Sequence, residues 1–97
     1  MSRTETTFAD SQRVVASGDL ITTRVDGEVM AMNVERGTCY GLDAIGSRIW
    51  DLIASPVAVG DVIGQLTTEY DVSREVCRTD VLALLTSLES EGLIRRL

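Results

Sequence analysis

The spacing of apolar and polar positions changes near residue 42, from a period of two to one of about 3.6. Before that point, Leu20–Val25 and Glu28–Val34 read as two extended runs separated by Asp26-Gly27. Asp-Gly between strands predicts a two-residue hairpin, because both central residues of a type I′ turn need positive φ. Glu35-Arg36-Gly37 forms a second turn, and Thr38–Leu42 a short third strand. Beyond Asp43, a good N-cap residue, Ile45, Ile49, Trp50 and Ile53 mark one stripe of a helix from Ala44 to about Ala54. Ser55-Pro56 ends it, since the residue before proline avoids helical geometry. A second helix runs from about Val59 to Tyr70, with Val59, Val62, Ile63, Leu66 and Tyr70 on one face. Ala58 holds its cap position, where Ser, Thr or Asp would serve better, and Asp61 in the first turn complements the helix dipole. Ser73 caps a third helix, from Arg74 to about Glu91, with Cys77, Val81, Leu84, Leu85 and Leu88 on one face and Gly92 as its stop. The tail Leu93–Leu97 should return its apolar members to the core.

The order β-β-β-α-α-α predicts an α+β domain, winged helix-turn-helix-like, with a three-stranded antiparallel sheet followed by three helices. Residues 1–12 are polar and aperiodic and read as a disordered arm, with order beginning near Val14-Val15. Residues 13–97 then form a single domain.

Charge and residue usage narrow the chemistry. The net charge is −6, and all nine basic residues are Arg, scattered singly except for Arg95-Arg96. A polyanion would be repelled on average, which counts against nucleic acid. Histidine is absent and only two cysteines occur, so a four-ligand zinc site and a Ser/His or Cys/His nucleophilic pair are both excluded. The chain reads as a non-enzyme without cofactor or metal. No apolar stretch of about 18 residues occurs, so no membrane partner is expected. The polar N-terminus lacks a secretion signal, which places the protein in the cytoplasm.

Two features suggest binding. The third strand carries neither charge nor proline, the usual devices that blunt a sheet edge, so a guest strand could add to it. The alternative is that the third helix or the N-terminal arm covers that edge. The third helix also carries Val76, Asp80 and Leu84 on a flank beside its core face, which would make a groove with the strand. The alternative here is a helix buried over a wider arc. Tyr40 and Trp50 read as core residues. A helix-turn-helix DNA reader would expose Arg74 and Arg78, but Glu75, Asp80 and Glu89 share that surface.

The ordered set from Glu35-Arg36-Gly37-Thr38-Cys39-Tyr40-Gly41-Leu42 through Trp50-Asp51-Leu52, with Tyr70–Ser73, Asp80–Leu85 and Leu88–Ile94, resembles the PqqD-like family. These are the peptide chaperones of pyrroloquinoline quinone biosynthesis and the related recognition elements of ribosomally made, modified peptides (RiPPs). The resemblance spans roughly residues 20–97 and lies nearest the discrete leader-binding proteins of lasso peptide clusters. It implies that a precursor's leader segment adds antiparallel to the third strand, in the cleft facing the third helix; along Thr38–Leu42 such a guest is expected to gain about four to six main-chain hydrogen bonds. Carried over by position, the site is Thr38, Cys39, Tyr40, Gly41, Leu42, Val76, Cys77, Asp80, Val81 and Leu84. The implied partners are the precursor, a leader peptidase and a lasso cyclase or other modifying enzyme. A quinone-pathway chaperone or other RiPP adaptor is the alternative, and a winged-helix DNA-binding regulator a distant one. Asp43 and Ala58 depart from the family, where Asn and Thr or Ser are frequent; both changes affect helix caps. Cys39 and Cys77 read as free thiols, with a redox-sensitive pair across the groove as the alternative.

Overall fold

The computed structural model describes residues 8–18 and 20–97. Among the described residues, six strands and three helices follow in the order β1 (Arg13–Ala16), β2 (Leu20–Val25), β3 (Glu28–Asn33), β4 (Thr38–Gly41), α1 (Ala44–Leu52), β5 (Val57–Ala58), α2 (Val59–Glu69), α3 (Arg74–Ser90) and β6 (Ile94–Arg96). The expected antiparallel meander is β2-β3-β4, with β4 at its edge. Its first turn has φ of 53° at Asp26 and 82° at Gly27, as an Asp-Gly hairpin requires. β3 alternates strictly, burying Val29, Ala31 and Asn33 against α1 and the core while exposing Met30 and Met32.

A second sheet, ordered β5-β1-β6, was not foreseen in the pattern. It joins the start of the domain to the tail through Val14↔Arg96 and Ala16↔Ile94, and Leu93 and Ile94 are buried as expected. The helices follow the predicted caps. The Asp43 carboxylate accepts from Gly46 N at 2.8 Å, the Ser73 hydroxyl from Val76 N at 3.2 Å, and Gly92 ends the third helix at φ 75°.

The expected disordered arm is corrected over its described part, while residues 1–7 lie outside the described residues. Phe8 is fully buried, with the Arg96 guanidinium 4.0 Å from its ring centroid. The backbone carbonyls of Gln12 and Asp10 accept from Val59 N and Gly60 N, both at 2.9 Å. These carbonyls satisfy two of the N–H groups that Ala58 cannot cap, so order extends to Phe8 because α2 needs acceptors at its start. A Cβ on Gly60 would lie 3.1 Å from Asp10 Cβ, so the glycine admits this close approach.

Candidate peptide-binding site

Backbone parity fixes which groups of β4 are free. Leu42 N donates to Val29 O at 2.8 Å, and the register pairs Ala31 with Tyr40 and Asn33 with Thr38. In an antiparallel ladder, residues alternate between facing the partner strand and facing away. The backbone groups of Thr38 and Tyr40 therefore point to β3, whereas those of Cys39 and Gly41 point outward. Among the described residues no strand pairs with that outer side. Two N–H and two C=O groups line an edge bare of charge and proline. The segment 8–12 packs on α2 and α3, where Arg78 pairs with Asp10 and donates to Phe8 O, so it leaves this edge uncovered.

Beside the edge lies an open cleft of about 330 Å³. Tyr40, Gly41 and Leu42 form its strand wall, and Asp80 and Leu84 its α3 wall. Asp43, Ile45, Gly46 and Ile49, from the start of α1, form its floor and one end. Two polar devices hold these walls. At one end, the Thr38 hydroxyl donates to Glu91 O at 3.2 Å and the Asn33 side-chain amide to Gly92 O at 3.0 Å, clasping the start of β4 to the end of α3. At the other, the buried Ser47 hydroxyl accepts from Val29 N at 2.8 Å and donates to Leu42 O at 3.3 Å. This hydroxyl completes the last rung of the β3–β4 ladder and locks α1 to the cleft.

Of the ten residues expected at the site, the structure brings five together in the cleft: Tyr40, Gly41, Leu42, Asp80 and Leu84. Cys77 and Val81 are 5% and 1% exposed and belong to the core. The apolar pattern places both on the core face, and it is the family resemblance that assigns them to the site. Val76 is exposed but outside the cleft lining. Thr38 is spent on the clasp, and Cys39 shares the outer sheet face with Met32, its Sγ 3.1 Å from Met30 Sδ. The cysteines thus do not oppose one another across the cleft, because Cys77 packs toward Ile63 O. Burial, with the Asp80 charge adding to it, pushes the Cys77 thiol up. Both thiols are free.

Asp43, Ile45, Gly46 and Ile49 were missed. Ile45 was expected in the core stripe but is 48% exposed. It belongs to the first turn of α1, which extends past the core, and an isoleucine there beside a strand edge was the available signal. Tyr70, placed on the buried face of the second helix, is likewise 36% exposed because it follows the last helical residue. The two cations that a DNA-reading α3 would present, Arg74 and Arg78, both pair with Asp10.

The unpaired β4 edge therefore faces α3 across an open cleft of apolar and acidic side chains, on a winged helix-turn-helix-like frame. Residues 28–94 match the family described as coenzyme PQQ synthesis protein D (PqqD), and the chain belongs to that family. It is similar to a solved structure described as TbiB1 in complex with the TbiA(beta) leader peptide, at 30% identity and a TM-score of 0.77, covering 84% of this chain and 94% of that one. It also shares the fold of a lasso peptide synthetase B1 complexed with the leader peptide, at 23% identity and a TM-score of 0.74, covering 90% of this chain and 99% of that one. No curated protein matches the chain. Among the described residues, no helix is long and apolar enough to cross a membrane.

Proposed function

We propose that this protein captures the leader segment of a ribosomally made precursor peptide as an added strand on β4, and presents the precursor to a leader peptidase and a lasso cyclase. The observation that carries the reading is the outward-facing backbone of Cys39 and Gly41 beside the apolar cleft. Those two residues offer four main-chain hydrogen bonds, each contributing a net ~0.5–1.5 kcal/mol. One large apolar guest side chain entering between Tyr40, Leu42, Ile45 and Leu84 adds roughly 1.5–3 kcal/mol. Ordering the guest costs about 1–2 kcal/mol per residue. The ladder and the ordering cost nearly cancel, so the side-chain pocket sets both affinity and selectivity. The leader-bound relative at 30% identity supports the choice of guest, and a site of main-chain groups and mainly apolar side chains fits a binding role. A peptide chaperone for quinone-cofactor synthesis is the second reading, favoured by the description of the matching family.

Amide hydrogen exchange tests the proposal. In the free protein, Tyr40 should already be protected by β3, whereas Cys39 and Gly41 should exchange fast. Adding the leader of a precursor encoded beside this protein should slow Cys39 and Gly41 selectively. Binding that leaves both amides unprotected would place the guest elsewhere.

A further inference from the structure

The strand edge borders a second concavity, which wraps the end of the sheet from the cleft side at Val29 and Leu42 onto the outer face at Val25, Glu28 and Met30. This pocket, of about 390 Å³, is floored by Val25, Met30 and Leu42 and rimmed by Asp26, Glu28 and Asp43, with no basic residue in its lining. Gly41, Leu42 and Asp43 line both pockets, and of these Gly41 alone lacks a side chain between them. Nothing in the protein's own packing requires glycine there. Its φ is not positive, and a Cβ would meet only Met30 Cε, at 3.9 Å. The missing side chain leaves open space over Met30 on the outer face.

We infer that Gly41 is a specificity-determining position separating two subsites, so that neighbouring guest residues are read in turn: an apolar one by the inner cleft, and a long cationic one, Lys or Arg, by the outer pocket. The inference rests on strand addition to β4. Side chains of a strand alternate faces, and residues directly opposite one another share a face. A guest residue opposite Tyr40 or Leu42 therefore points into the cleft, and the one opposite Gly41 points over Met30. The outer pocket suits a side chain with an apolar stem and a charged head, because the stem can lie on Met30 and Val25 while the head reaches the rim carboxylates. The flexible Met30 thioether adapts to either stem.

The test pans a phage-displayed random peptide library against three immobilised forms: the unaltered protein, an Asp26→Asn/Glu28→Gln double variant, and Gly41→Leu. Asn tolerates the positive φ at position 26, so the hairpin is kept, and circular dichroism checks each fold. The unaltered protein should select an apolar residue directly beside Lys or Arg. The double variant should keep the apolar anchor, lose the basic neighbour, and bind a selected Lys peptide about 2- to 5-fold more weakly. That gap should vanish for the same peptide with Lys→Gln. Gly41→Leu should select small residues in place of the cation. Pools with an apolar anchor but no basic neighbour, or identical pools from the unaltered protein and the double variant, overturn the second subsite alone. Recovery of no binder, or of binders indifferent to Gly41→Pro, overturns strand addition as well.

Discussion

Gly41→Pro separates binding from folding more cleanly than any other change at the edge. The Gly41 N–H faces away from β3, so the substitution removes no hydrogen bond from the host ladder. Proline is tolerated on an edge strand in that orientation. In the complex, a guest carbonyl loses its donor at a desolvated site, costing about 1–3 kcal/mol. The ring also displaces the guest from the adjacent Gly41 C=O, a further ~0.5–1.5 kcal/mol. Together these weaken binding by roughly one to three orders of magnitude in Kd. Titration calorimetry with a leader peptide reads the loss, and a thermal melt reads the fold. Tyr40→Pro is the contrast: its N–H belongs to the β3 ladder, so it should lower the melting temperature before any question of affinity arises. A folded Gly41→Pro protein that binds leader with unchanged Kd refutes the edge as the docking site.

Four further outcomes are expected. Leu84→Glu, in the cleft wall, should weaken leader binding by at least about tenfold, given the ~1.5–3 kcal/mol of a buried apolar contact, whereas Val76→Glu, outside the lining, should leave calorimetry unchanged. Ser47→Ala strands the buried Val29 N–H and should lower stability by about 1–3 kcal/mol in urea titration. Hydrogen bonds from Arg48, at 2.9 and 2.7 Å, and then from Gln65 hold the Glu69 carboxyl down to about 2 from its ordinary 4.5. Its contribution is therefore complete above pH 4.5 and lost as pH falls toward 2, so Glu69→Gln should flatten the melting temperature across that window. Gly92→Ala places a Cβ at positive φ against Arg36 and should destabilise by at least ~1 kcal/mol, read by thermal melt.

What the sequence discloses follows the range of each signal. Asp26-Gly27, Asp43, Ser73 and Gly92 are local devices whose requirements lie within a few residues, and each performs its expected role. β5 and β6 span two and three residues, too short for any period, and form because β1 supplies partners from far along the chain. Ala58 marked a helix start with no visible cap; its acceptors come from Asp10 and Gln12, in a stretch whose composition suggested disorder. The edge strand and the α3 flank were legible, but Leu84 fits both the core stripe and the flank, and only the packing of α3 shows that it lines the cleft while Val76 does not. The floor from α1 required the tertiary fold.

The bonds from Thr38 to Glu91 and from Asn33 to Gly92 fix β4 to the end of α3 at one corner of the cleft, while the Ser47 bridge fixes its Leu42 end to α1. On the proposed reading, a leader antiparallel to β4 would set its N-terminal residues beside Leu42 and end at the Thr38 corner. The portion of the precursor destined for modification would then emerge beside that corner, so an enzyme acting on it should approach from the Arg36–Gly37 turn, and its reach from there would decide how many residues must separate the recognised segment from the modified one.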